Sequence, residues 1–270
     1  MTDITPEILE QIRRAQQQFK ESQKQDAPQS PGTDTPGEEN SEENPAEEPF
    51  DPNNFVQEIK DDDGTILQRI PFENGAIHGA LELFNDGKVM QSIPYDNGII
   101  TGTMKGFDTQ GDLMYEIPVE DGKKEGISTM YMNGIKASET TFENDGMNGP
   151  LISYHPNGLV NSEGTYKENH LHDTLTVYDD TGALLKKDTY VMGRKTGPSQ
   201  TFYPSGELYE ESTFENDLPV GKVTNYHESG KRMMVKHYEE GKLVLTEVYD
   251  DNGELKEKKE AKPQETQQEE

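Results

Sequence analysis

The chain has 270 residues, of which 53 are acidic and 25 basic, giving a formal net charge of −28; such a field repels nucleic acid and anionic lipid and favours basic partners. It has no cysteine, which excludes disulfides, a thiolate nucleophile and a cysteine-based zinc site. Only 30% of residues are apolar, below the ~45–50% of an ordinary globular domain, so either part of the chain is disordered or the folded part is an extended array with little deep core.

Residues 1–25 contain TPEILEQIRRAQQQFKESQK, whose spacing predicts a short amphipathic helix. Thr5 suits the cap and Pro6 the first helical position, while Glu7 and Glu10 sit toward the positive end of the dipole. Ile8, Ile12, Ala15 and Phe19 form one narrow apolar stripe. Residues 26–55 are rich in Pro, Glu, Ser and Asn and predict a disordered acidic linker, because too little apolar surface is available to offset the ordering entropy. The first thirty residues hold no apolar run like a signal-peptide core. No window approaches 18 consecutive apolar residues. The expectation is a cytoplasmic protein without membrane contact.

Residues 56–253 carry a repeat of 23 or 24 residues, marked by glycines at 64, 87, 111, 134, 158, 182, 206, 230 and 253. Eight residues after the first eight of these comes Phe72, Tyr95, Val119, Phe142, Tyr166, Tyr190, Phe214 or Tyr238. Three or four residues before the glycines from 87 onward comes a second ring: Phe84, Phe107, Tyr131, Tyr154, Tyr178, Phe202, Tyr226 or Tyr249. Eleven residues after each of the first eight glycines the chain has Gly75, Gly98, Gly122, Asp145, Asn169, Gly193, Asp217 or Gly241, the residue types that tolerate positive φ. Two turns and two strand-length segments per unit predict an all-β fold. It is an elongated, twisted array of about eight antiparallel β-hairpins, about 16 strands in all, in which equivalent rings stack on one another as a core. In the return strands Leu81, Leu83, Leu151, Leu175 and Val177 share one parity; Glu82, Lys105, Thr129, Thr176 and Thr224 share the other, as expected for unequal faces. Pro71, Pro94 and Pro118 should bulge or shorten the early strands. Residues 254–270 read as a disordered charged tail.

The segments YHPNGLVNSEGTY, YDDTGALLKKDTY and FYPSGELYEESTF resemble the MORN-variant repeat, the repeat of the bacterial YwqK-family antitoxins. The resemblance covers about 200 residues and implies elongated hairpin arrays without catalytic activity. The chain lacks the tryptophan that follows the first glycine in the ordinary MORN motif, and it lacks the basic character of phosphoinositide-binding examples.

Side chains capable of chemistry are few. His170, His172 and Asp173 invite a metal, but nothing in the repeat supplies a third and fourth ligand, and the segment reads as a variable turn. His155 and His227 read as turn decoration. No phosphate-binding glycine motif and no G-x-S-x-G serine is present. The expectation is therefore no catalytic, metal or cofactor-binding residue, and not an enzyme. What remains is a protein–protein interaction module for a basic protein, in its specific form an antitoxin or immunity partner that masks a basic toxin surface. The alternatives are a scaffold that acts through the amino-terminal helix and a carbohydrate-binding hairpin array.

Overall fold

The computed structural model describes residues 51–261. The predicted helix at 1–25 and most of the linker lie outside them. Strands appear in the order β1 (Phe55–Lys60), β2 (Ile66–Glu73), β3 (Ala76–Ile77), β4 (Gly79–Asn85), β5 (Lys88–Asp96), β6 (Ile99–Ile100) and β7 (Gly102–Phe107). Next come β8 (Leu113–Glu120), β9 (Lys123–Lys124), β10 (Gly126–Met132), β11 (Ile135–Glu143), β12 (Gly146–Tyr154), β13 (Val160–Lys167) and β14 (His170–Tyr178). The last are β15 (Leu184–Val191), β16 (Arg194–Phe202), β17 (Leu208–Glu215), β18 (Leu218–Tyr226), β19 (Arg232–Glu239), β20 (Lys242–Tyr249) and β21 (Leu255–Glu260). All belong to one sheet, and strands consecutive in sequence pair antiparallel, except that β3 with β4, β6 with β7 and β9 with β10 lie end to end against β2, β5 and β8.

The eight second turns adopt the left-handed backbone that their column demands. Gly98 has φ 85°, and the non-glycine members Asp145, Asn169 and Asp217 have φ 68°, 66° and 70°. The residue before each is left-handed as well, for example Asn144 at 49° and Asn216 at 47°, which makes these two-residue loops of the type that matches strand twist. The turn amide also ties each unit to the one before. Gly98 N donates to Ile77 O at 2.7 Å, Asp145 N to Lys124 O at 3.0 Å and Asp217 N to Lys195 O at 2.9 Å.

A register shift recurs beside each second turn, as between Thr140 and Phe142 and between Glu211 and Thr213. Where Pro71, Pro94 and Pro118 lie opposite, the return strand is split in two, producing β3, β6 and β9. The shorter early strands thus follow from proline, whereas the bulge belongs to the repeat itself. Bulges bend and coil the strands that carry them, which helps a single layer shelter side chains on one face.

The parity read from the sequence is the parity of the sheet. One face, here the packed face, carries most of the buried residues, including Ile70, Leu81 and Ile93 at 0–1% exposure, while Thr129, Thr176, Thr224 and Val235 are buried on the other. Its central column changes character along the array: Leu81 faces Ile93, but Asp188 faces Ser199 and Ser199 faces Ser212, all three buried. Asp188 accepts from Ser199 Oγ at 2.7 Å and pairs with Lys186 at 2.7 Å and Lys195 at 2.9 Å. Lys195 Nζ in turn lies 3.8 Å from the Phe214 ring centroid.

Two expectations are corrected. Equivalent rings do not stack: the ring pairs among the described residues are Phe55–Phe72 at 4.8 Å and Tyr203–Tyr209 at 5.1 Å, and neither joins equivalents. Equivalents sit two strands apart, about 10 Å, beyond the ~4.5–7 Å range of ring contacts. The tail read as disordered begins instead with β21, which pairs with β20 from Leu245↔Glu260 to Tyr249↔Leu255. Its ladder bonds use backbone groups, so a charged sequence does not prevent them.

Candidate interaction surface

The opposite face of the sheet, here the ladder face, carries a column of side chains, charged or polar apart from Ile152, set by strand register. It runs from Glu116 through Thr129, Glu139, Ile152, Glu163, Thr176, Lys187 and Gln200 to Glu211. Beside it lies the ring column that precedes the first turns. Tyr131 donates its hydroxyl to Glu116 at 3.0 Å and Tyr178 to Glu163 at 2.8 Å. Tyr154 donates to Glu139, and Tyr226 to Glu211.

In each of these pairs the carboxylate lies fifteen residues before the tyrosine. Where that position holds Arg69, Ser92 or Lys187, the ring is Phe84, Phe107 or Phe202. A half-buried phenol needs an acceptor, and at these three places, where the column offers no carboxylate, the ring lacks the hydroxyl. Tyr249 keeps its hydroxyl by donating to Glu247 at 3.1 Å.

Cations of the chain occupy several of these carboxylates. Arg69 bridges Glu58 at 3.5 Å and Glu82 at 3.1 Å, and lies over the Phe84 ring. Lys105 pairs with Glu116 at 3.0 Å. Lys136 pairs with Glu139 at 2.6 Å, its Nζ 5.9 Å from the Tyr154 ring centroid. The Lys105 hydrogen bond, then that of Tyr131, holds the Glu116 carboxyl below its ordinary range; Lys136 and then Tyr154 do the same for Glu139. Glu163 and Glu211 make no ion pair among the described residues.

Two depressions lie along this column. One of about 570 Å³ is lined by Gln200, Glu211, Thr224, Tyr226, Val235 and Tyr249 among others. The other, about 480 Å³, is lined by Glu82, Ser92, Lys105 and Phe107 with Lys88.

The histidines are placed by turns. His170 Nδ1 lies 2.7 Å from the Glu168 carbonyl oxygen, and His172 Nδ1 accepts from Met192 N of the next unit at 3.3 Å. Asp173 lies 3.9 Å from His172 Nε2. No group of three or more metal-ligating side chains occurs among the described residues. His155 does more than decorate its turn: its Nε2 is 3.1 Å from the Tyr178 carbonyl oxygen, and Tyr203 in the equivalent place donates to the Tyr226 carbonyl at 2.8 Å. The tyrosine–glutamate pairs were not singled out in the sequence, although the fifteen-residue offset was available to find them.

Residues 147–168 and 195–216 match the MORN repeat variant. Each match spans a return strand, the five-residue first turn and the following strand, β12–β13 and β16–β17. No curated protein matches the chain. Among solved structures, a chain from the one described as "Crystal Structure of TcdB2-TccC3-Cdc42" aligns at 12% identity with a TM-score of 0.17; the alignment covers 74% of this chain and 13% of that one.

Proposed function

We propose that the chain is a non-catalytic binding module, working in the cytoplasm without a cofactor, that takes a basic protein on its ladder face. The observation that carries this reading is the row of carboxylates from Glu116 to Glu211, held in place by tyrosine hydroxyls. Fixed, pre-oriented charges steer and select oppositely charged partners. Repeats of the matched variant are associated with protein or membrane binding; the acidity of this array favours the protein, because anionic lipid attracts basic segments. The specific form of the proposal is an antitoxin or immunity protein that covers a basic toxin surface.

The test is affinity capture from the native cells with the full chain, washed at low and high salt, followed by direct binding to the captured protein. A basic protein released by salt, whose affinity falls at least tenfold with Glu163→Lys and Glu211→Lys together, supports the reading. A partner indifferent to salt and to both reversals refutes it.

A further inference from the structure

The geometry points to two cation niches, Glu163 with Tyr178 and Glu211 with Tyr226, that receive two lysine or arginine side chains from one extended segment of the partner. The inference rests on the ladder face being the surface that meets a basic protein.

The chain itself supplies the template. In one unit Lys136, at the start of the strand after the first turn, reaches Glu139 three residues on and lies over Tyr154, the ring of the next unit. The same three places in the following unit hold Val160, Glu163 and Tyr178, and two units further Leu208, Glu211 and Tyr226. The register equates them: Lys136 faces Tyr131, Val160 faces Tyr154 and Leu208 faces Phe202. In both later units the carboxylate and the ring remain, but an aliphatic residue replaces the lysine and no cation pairs with the acid. Tyr226 occupies only Oε1 of Glu211, and an ionised carboxylate accepts on both oxygens. A ring face beside a carboxylate suits a lysine or arginine head.

The intervening unit fixes polarity. Its places hold Leu184, Lys187 and Phe202, so a cation there would meet a like charge. Glu163 and Glu211 are four strands apart, roughly 19 Å. An extended chain covers that distance in about six residues at ~3.3 Å each, which returns both side chains to one side. A helix returns to one side only after about eleven or fourteen residues, ~16.5 or ~21 Å at 1.5 Å each, which fit the spacing less well. Sheet twist also turns the second niche relative to the first, and a flexible extended segment follows that turn where a rigid helix does not. The partner element is therefore extended, with cations six residues apart and no cation midway.

The probe is the heptapeptide Ac-RSTSTSR-NH2, compared with Ac-RRSTSTS-NH2 of equal composition, titrated into the full chain at low salt by calorimetry. The spaced peptide is expected to bind at least threefold more tightly. That advantage should vanish in Glu163→Gln and in Glu211→Gln, where the amide oxygen still accepts from the tyrosine, and survive in Glu239→Gln at the exposed end of β19. Val160→Lys, which fills the first niche from within, should abolish the advantage as Glu163→Gln does. Equal binding of the two peptides, or an equal loss in Glu239→Gln, overturns the niches but leaves the basic-partner reading standing. Failure of both peptides to bind, together with a native partner indifferent to Glu163→Lys and Glu211→Lys, removes both.

Discussion

Asp188→Ala should destabilise the chain by about 3 kcal/mol, and the structure shows where the loss comes from. The Asp188 side chain is 3% exposed and joins Lys186, Lys195 and Ser199. Lys186 is 43% exposed and can turn into water at little cost. Lys195 is 17% exposed, so it keeps a largely desolvated charge with only the Phe214 ring beneath it, and Ser199 loses its acceptor. Breaking a buried pair costs ~3–5 kcal/mol; the ring contact and the partial exposure of Lys195 place this case at the lower end. Burial pushes the Asp188 carboxyl up, but Lys186, Lys195 and Ser199 outweigh it and hold the group below its ordinary value of 3.8. A depressed carboxyl contributes its full stability above the unfolded value and loses it as pH falls through the folded one. The gap between wild type and Asp188→Ala should therefore stay constant from about pH 7 to pH 5 and close below about pH 4. The assay is urea unfolding followed by tyrosine fluorescence, with hydrogen exchange at β15 and β16 because repeat arrays open in segments. A loss under about 1 kcal/mol at pH 7, or an equal loss in Lys186→Ala, would refute the reasoning.

Three other outcomes follow from the same register. Phe202→Tyr alone should gain nothing, but combined with Lys187→Glu it should recreate the tyrosine–glutamate pair and show a coupling of about 0.5–1 kcal/mol in a double-mutant cycle; additive singles would contradict the pairing. Gly102 has φ 110°, and a Cβ there would meet Pro94 Cγ at 3.2 Å. Gly102→Ala should thus cost at least about 1 kcal/mol, read as a lower unfolding midpoint, whereas an unchanged midpoint would mean that the backbone relaxes. The Asp108 and Asp250 carboxyls, in exposed first turns, are held below their ordinary value chiefly by backbone amides of Asp112 and Glu254, and Asp179 by the Thr181 hydroxyl and then the Ala183 amide. As pH falls below about 4, amide exchange should speed up at these turns before it does at a second turn whose amide meets a carbonyl instead of a carboxylate, such as Asn97–Gly98. Simultaneous loosening would count against that assignment.

The turns were legible in the sequence because positive φ restricts residue choice so strongly that Gly75, Asp145 and Asn169 could be aligned without coordinates. The faces were legible because side chains alternate with period two. Ring stacking was misjudged because the repeat counts hairpins, and one hairpin is two strands wide. The Tyr178–Glu163 pairing lies in plain sequence as a fifteen-residue offset, yet it acquires meaning only once register brings the two strands together on one face. The niches were further out of reach, since each needs three residues from two strands and is recognised by the lysine that is missing. β21 was misjudged from composition, which reports on side-chain burial and not on backbone pairing.

That last strand has a consequence for how the molecule keeps to itself. Among the described residues β21 pairs only with β20, so its outer row of amides and carbonyls is a template on which a further strand could grow. All six of its residues, LKEKKE, are exposed, and five of them carry charge. A second chain adding there would have to desolvate lysines and glutamates on both sides of the new ladder, a penalty that natural sheets use against edge-to-edge aggregation. The same tail that looked too charged to fold is what lets a long open sheet stop.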